Sequence, residues 1–456
     1  MHYHTVKPFL VLLGVVIGGL VLGCSNSEGV DGAGTEIKPV AENSRYNIEE
    51  AVPSQEMSSA KVIEYLPIDD TEYPYAGIPR IVIETENYRQ IRDRETEIPA
   101  KLQIWGARAP ESEIMELTIR GRGNTSWTDM PKNSYKIEFI DKQAILGMPK
   151  DRDWALIANY ADKTLMKSYL SYHLSAELGT YYAPRCEFVE LYLNKEYLGV
   201  YLLTETIKTG KKRIVTSENN TTFIVEFDEK YRSDDNVFFS DILSSTKQKK
   251  KTFTIHEPKK FSANALDTIQ EHIHAFETFL LTIKSNQGND ILSWLDIDEF
   301  TKHYWIQEFS KNPDGNFFTS VYFSWSPNSV IKMGPVWDFD LAYGGFDYEE
   351  ANSPKNWYTR NTYWHSFLFK DNLLKNYSDV FWINNHKTFQ SVLNSIDSIA
   401  NLLHDAAQNN FKRWNILNST KNHWHPKAFS SYEEAIADLQ IWIIDRIEWI
   451  DFQINP

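Results

Sequence analysis

Between residues 78 and 229 the chain carries seven short runs in which apolar or aromatic side chains alternate with polar ones: IPRIVIET, KLQIWGA, IMELTIRG, SYKIEFI, FVELYLN, YLGVYLLTE and FIVEFDE. A period of two belongs to a pleated strand, because successive side chains point to opposite faces, and it cannot serve a helix of period 3.6. This part of the chain must therefore build sheet. The segment LYLNKEYLGVYLL reads as a tight hairpin around Asn194 and Lys195. A single helix is expected among the strands, capped by Asp162, ended by Gly179, and carrying Leu165, Tyr169, Tyr172 and Ala176 on one face.

Past residue 230 the period changes. Ile269, Ile273, Phe276, Leu280 and Ile283 recur in steps of three and four, as on a helix face. SSYEE is a capping-box pattern that opens a C-terminal helix through Ile436, Leu439, Ile443 and Ile450. No internal repeat is found. The reading is an α+β fold, with a strand-rich part at about 75–230 and a helix-rich part at about 231–456.

The first residues read as an address. Lys7 precedes the apolar stretch FLVLLGVVIGGLVLG, which is short against the roughly 20 residues of a membrane span and has signal-peptide proportions. VLGC resembles a bacterial lipobox, which implies lipidation of Cys24, and the following Ser25 points to the outer rather than the inner membrane. The expected organisation is a signal segment at 1–24, a polar tether at 25–58 and a folded domain at 59–456, exported and lipid-anchored in the cell envelope. With Cys24 acylated, Cys186 has no disulfide partner, and a multi-cysteine zinc site is excluded. A net charge of −15 argues against a nucleic-acid partner, since contacts to phosphate dominate that affinity. The KQKKK run at 247–251 reads as a solvated loop.

The chemistry concentrates in KNPDGNFFTSVYFSWSPNSVIKMGPVWDFDLAYGG. Asp338 and Asp340 stand among Trp337 and Phe339, a setting for burial, and a buried carboxylate needs a partner. In an extended segment the two acids share a face. FFTSVYFSW and VIKMG read as the arms of a hairpin, so Asp314 and Asn316 should return beside Asp338 and Asp340. Carboxylates with an amide form a hard-oxygen set suited to Mg²⁺ or Mn²⁺. The other reading is a strand end with capping acids. No Lys or Arg nearby in sequence would neutralise a merely structural cluster. An acid, an amide, a short hairpin and a metal-binding Asp is also the order found in protein kinases, although His-Arg-Asp is absent, one residue separates Asp314 from Asn316, and DFD replaces Asp-Phe-Gly.

RGRGNTSWTDMPKNSYKIEF, LGMPKDRDWALIANYADKTLMKSYLSYHL, YAPRCEFVELYLNKEYLGVYLLTE and PVWDFDLAYGG together resemble the successive signature blocks of the CotH family, over roughly residues 75–456. The resemblance implies an atypical, secreted protein-kinase-like fold that binds ATP with a divalent metal, Mg²⁺ or Mn²⁺, and phosphorylates Ser or Thr of envelope or extracellular proteins. It places Asp314 at the catalytic Asp and Asp338 at the metal-binding Asp of a Trp-Asp motif, while the hairpin reading adds Asn316 and Asp340 as further metal ligands. FFTSVY departs from the family's text after the catalytic element.

RGRGN offers glycines for close approach to a phosphate, with Arg120 and Arg122 as charged partners of Gly123 and Asn124; its plain reading is a turn. Lys136 follows on a strand where a nucleotide-gripping lysine would stand, or where an edge lysine would face solvent. Neither a Walker-type phosphate loop nor a Gly-x-Ser-x-Gly elbow is present. The alternative to an enzyme is a kinase-like surface-binding module without catalysis.

Overall fold

The computed structural model describes residues 64–455 except 217–220, 234, 247–248, 285–287 and 421–423. The signal segment, the tether and Cys24 lie outside the described residues. Among the described residues no helix is long and apolar enough to cross a membrane.

Seven strands close into a barrel: β1 (Arg80–Thr85), β2 (Ile98–Trp105), β3 (Met115–Arg122), β4 (Ser134–Gln143), β5 (Asp151–Ile157), β6 (Cys186–Leu193) and β7 (Glu196–Glu205). Their order around the barrel is β1-β2-β3-β4-β5-β7-β6, and the parallel β1–β6 pair closes the ring. Alternation supplies the interior, where Ile83, Leu102, Ile119, Ile137, Phe139, Leu156, Val189 and Leu203 are buried together. Asn194 and Lys195 both have positive φ, 53° and 71°, the backbone a two-residue hairpin needs. Of the barrel strands, β5 escapes the alternation test. Its three polar residues, Asp151-Arg152-Asp153, precede the buried Trp154, Ala155 and Leu156 in a block, so no period of two is visible.

A second sheet holds β8 (Phe223–Phe227), β9 (Val237–Ser240), β10 (Lys251–Glu257), β11 (Val321–Trp325) and β12 (Lys332–Met333), in the order β12-β11-β8-β10-β9. The expected break near residue 230 runs through this sheet, because β8 pairs with both β10 and β11. The observed organisation is thus a barrel and a mixed-origin sheet surrounded by helices. It is α+β.

The long helices are Ala263–Thr282, Ile297–Ser310, Asn372–Arg413 and Tyr432–Ile454. Ser431 Oγ accepts from Glu434 N at 3.3 Å at the start of the last, and the Glu434 carboxylate accepts from Ser430 N at 2.6 Å. The Asn372–Arg413 helix lies against β7, where Asn410 Oδ1 accepts from Val200 N at 3.1 Å and from the fully buried Lys132 Nζ at 2.9 Å.

The helix expected from Asp162 begins later, at Lys167, and runs to Glu177. Asp162 spends its carboxylate on the turn before it, accepting from Thr164 N and from Lys167 N, both at 2.8 Å, while Leu165 takes a positive φ of 64°. The expected single apolar stripe is also corrected. Leu170 and Leu174 are buried with Tyr172, and Ala176 is exposed, because neighbours cover this helix on most sides.

Candidate active site

The buried Lys167–Glu177 helix carries the acidic segment. Ser168 Oγ accepts from Phe339 N at 3.2 Å, and Ser171 Oγ and Tyr343 OH are 2.9 Å apart. The Tyr172 ring stacks on Trp337 at 5.6 Å and meets Phe339 edge-on at 6.4 Å. Ser171 and Tyr172 follow Ser168 by three and four residues, so one helix face presents all three contacts. Between these anchors Asp338 adopts φ 62°, a left-handed conformation that only Gly, Asn and Asp visit readily. The segment is therefore not extended at this point, which corrects the expected backbone, although the Asp338 and Asp340 carboxyls still meet in a hydrogen bond.

Asp314 arrives from the opposite direction. The Ile297–Ser310 helix ends at Lys311, itself left-handed with φ 46°. Asn312 then turns its Nδ2 onto the Asp338 carbonyl at 2.9 Å and accepts from Asp314 N at 3.3 Å. Phe318 N and Thr319 N donate to the Asp314 carbonyl at 3.2 and 3.4 Å, so residues 314–319 form a compact loop. β11 begins only at Val321, because Phe317 and Ser320 take positive φ and break the strand expected over FFTSVYFSW. The hairpin holds nonetheless, with Phe323 paired to Met333 and Ser324 to Lys332. Gly315 leaves no room for a side chain, since a Cβ there would lie 1.9 Å from Gln307 Oε1.

Asp314, Asp338 and Asp340 fall within one another's field. Burial first, and then Asp338, push the Asp314 carboxyl up to about 8. Burial raises Asp338, while Arg122 and a hydrogen bond with Asp340 oppose the rise. Burial, Asp338 and Asp314 drive Asp340 well above the ordinary carboxylate range, against the pull of Lys167. The cluster thus shares protons, as carboxylates in close company must. Its cations come from distant elements: Arg122 from β3, Lys167 from the buried helix, and Lys230 from the loop after β8. The expectation named no cation nearby in sequence; these three reach the acids from elsewhere in the chain.

Asn316 Oδ1 is buried and, among the described residues, has no hydrogen-bond partner, which leaves an oxygen acceptor unused in the loop of Asp314. With the carboxylates it forms the donor chemistry a hard cation takes. Among the described residues no three His, Cys, Asp or Glu side chains are close enough to hold an ion by themselves, so the amide oxygen and ligand oxygens would have to complete any shell.

Two acids escaped the sequence reading. Glu226 on β8 is buried and contributes to the field at both Asp314 and Asp338. It accepts from Ser320 N at 2.8 Å and lies 2.5 Å from His256 Nε2. Asp228, also buried, accepts from Lys230 N at 2.7 Å and from Thr319 Oγ1 at 3.1 Å; burial and Glu226 push it up to about 6. The only sequence signal was two acids alternating in the run FIVEFDE, which also suits an ordinary solvent-facing strand edge.

The other expected site residues divide. Arg122 reaches the acids and covers the Trp337 ring at 5.1 Å. Arg120 does not reach them: it donates to the Arg94 carbonyl at 2.5 Å and pairs with Glu97 at 3.7 Å. Gly123 has φ 104°, and Asn124 precedes a one-turn helix, Thr125–Thr128. Arg94 fastens this turn through the Gly123 carbonyl at 2.5 Å and Asn124 Oδ1 at 2.8 Å. Lys136 pairs with Glu138 at 2.9 Å and Asp153 at 3.1 Å, and Asp153 is shared with Lys208. It sits on the same barrel face as Arg120, to which it is paired in register, within this ion network.

Comparison with known proteins agrees with the resemblance. Residues 119–450 match the family described as CotH kinase protein. Inner spore coat protein H of Bacillus subtilis (strain 168) is 25% identical over 251 residues, 54% of this chain and 62% of that protein. The chain therefore spans under two thirds of that relative's length. Because the family match runs through most of the chain, from β3 to the C-terminal helix, the chain belongs to the CotH family.

Proposed function

We propose that this protein is an atypical protein kinase, kinase-like in its lobes, that transfers the terminal phosphoryl group of ATP to a Ser or Thr hydroxyl of a protein. The observation that carries this reading is the meeting of Asp314 with Asp338 and Asp340, joined through Asn312, where burial and then Asp338 push the Asp314 carboxyl up. A base whose pKa lies near the working pH can accept a hydroxyl proton and release it again. Asp314 orients and deprotonates the acceptor. Asp338, Asn316 and Asp340 would hold Mg²⁺ or Mn²⁺, which when bound neutralises phosphate charge. The Arg122 guanidinium, already next to Asp338, supplies a second positive charge for the phosphates. Gly123 and Asn124 form the turn that fixes Arg122 at the end of β3, with Arg120 anchoring its base. Lys136 would grip nucleotide only by leaving Glu138 and Asp153.

That engagement favours a second reading, a binding module on a kinase-like scaffold without catalysis. The test incubates the full chain with labelled ATP and Mg²⁺ or Mn²⁺. Self-labelling that is lost in Asp338→Ala supports the kinase; no labelling with either metal, and no thermal shift from ATP, supports the module. The lipobox-like VLGC and Ser25 support, in this proposal, export to the cell envelope with lipid anchoring through Cys24 in the outer rather than the inner membrane.

A further inference from the structure

The loop that starts at Asp314 is gripped along its far end by the second sheet. Residues 317–320 all bond to β8, to β10 or to the turn that follows β8. The Phe317 carbonyl accepts from Lys251 Nζ at 2.6 Å, and the Phe318 carbonyl accepts from Glu229 N at 2.9 Å. Thr319 Oγ1 donates to Asp228 Oδ1 at 3.1 Å, and Ser320 N donates to Glu226 Oε1 at 2.8 Å. Phe317 and Ser320 are also where this loop turns left-handed, with φ 57° and 59°. Neither residue type favours that backbone, so both positions depend on their surroundings. The two charged side chains, Lys251 and Glu226, meet the chain at these two positions.

Lys251 closes the KQKKK run that was expected as a solvated loop. It instead opens β10, half-buried, with Glu229 3.5 Å away and its ammonium 5.7 Å from the centre of the Tyr363 ring. Glu226 has both oxygens engaged. Oε1 also accepts from Thr319 Oγ1 at 3.3 Å, Oε2 lies 2.5 Å from His256 Nε2, and the Tyr322 hydroxyl donates to the carboxylate. A buried carboxylate so fully partnered holds the loop and is not left over for an ion. Its charge reaches Asp314 and Asp338, which puts it beside the acids. Asn312 ties down the start of the same loop, through Asp314 N.

We propose that Glu226 and Lys251 are positioning residues of the phosphotransfer site, which hold residues 317–320 in the path that keeps Asp314 against Asp338. They act through the loop and touch neither nucleotide nor acceptor. The proposal rests on the phosphotransfer reading for the task of the loop, whereas the grip on the loop is measured without it.

Two measurements on the full chain test it. Hydrogen–deuterium exchange read by mass spectrometry should speed up about tenfold in peptides covering 314–321 of Glu226→Leu and of Lys251→Met, with the barrel strands unchanged. Labelling with ATP and Mg²⁺ or Mn²⁺ should show kcat down about tenfold in both variants, while KM for ATP stays near the wild type. Glu226→Gln keeps an oxygen for Ser320 N and should regain much of the protection and of kcat. In a wild type that labels, unchanged exchange or unchanged kcat in the folded variants overturns this proposal alone. Exchange that rises equally across the barrel overturns it too, since the two residues would then serve only general stability. A wild type that fails to label overturns the phosphotransfer reading, and with it the task given to the loop. Because the two substitutions lie on different strands, failure of one variant to fold leaves the other to decide.

Discussion

Asn312 donates its side-chain amide to the carbonyl oxygen of Asp338 at 2.9 Å, and the same side chain accepts from Asp314 N at 3.3 Å. One residue thereby sets the distance between the two arms of the acidic site. It also steadies Asp338 in a left-handed backbone that costs on the order of 1–3 kcal/mol to maintain. Asn312→Ala is expected to destabilise the fold by about 1–2 kcal/mol in urea denaturation. It should lower nucleotide binding by more than that loss of stability alone explains. Equal nucleotide affinity in Asn312→Ala would show that the two arms hold their spacing without it.

Asp338 and Asp340 should separate in function. Asp338→Asn keeps a residue that tolerates positive φ while removing the charge next to Arg122. It should abolish metal-dependent ATP binding in calorimetry. Asp340→Asn should cost about 10–100-fold, as loss of a supporting carboxylate does. Both variants should melt at or above the wild type without metal, because repulsion among the acids is relieved. Wild-type affinity in Asp338→Asn would make these acids structural caps.

Asp228 gives the protein a pH-dependent stability of predictable sign. Its folded-state carboxyl lies at about 6, above the ordinary 3.8, so the folded state favours the protonated form. The stabilisation is full below about pH 4 and is lost as the pH rises through 6. Asp228→Asn keeps the oxygen that accepts from Lys230 N and Thr319 Oγ1 but removes the charge. It should equal the wild type at pH 4 and exceed it at pH 8 by up to about 3 kcal/mol, from a shift of about two pKa units. Denaturant titrations at the two pH values check this.

Arg446 and Glu308 are both fully buried and 2.6 Å apart, joining the C-terminal helix to the helix that leads into Asp314. Glu308 also accepts from Tyr358 N and Arg360 N, both at 2.8 Å. Arg446→Met leaves a buried carboxylate without its counter-charge and should cost about 3–5 kcal/mol in urea denaturation. Adding Glu308→Gln should restore part of that loss, since it removes the unpaired charge and its one oxygen still accepts from one of the two backbone N–H groups.

Cys24→Ser tests the anchor. The variant should move from the membrane to the soluble fraction on cell fractionation, because one substitution removes the site of acylation. Retention in the membrane would mean that the apolar stretch itself holds the protein.

Local periodicity was enough to identify six of the seven barrel strands, the Asn194–Lys195 hairpin and the helices starting at Ala263 and Tyr432. Each of these is decided by neighbours a few residues apart. The strand β5 was invisible for the same reason, since its residues, Asp151-Arg152-Asp153 and then Trp154-Ala155-Leu156, are grouped by polarity and do not alternate. The hairpin from Val321 to Met333 likewise brought Asp314 back to Asp338 as its turn residues indicated.

What the sequence could not contain is which distant elements meet the acids. Arg122, Lys167 and Lys230 neutralise Asp338, Asp340 and Asp314 from three separate parts of the chain, and Glu226 joins them from β8. Lys136, plausible by its place after RGRGN, is instead taken by Glu138 and Asp153, a choice set by strand register. The motif text determined which residues could do chemistry, because family signatures and turn residues are local. Charge neutralisation and proton sharing were decided only by the tertiary structure, because both depend on through-space distance and burial, which no local pattern encodes.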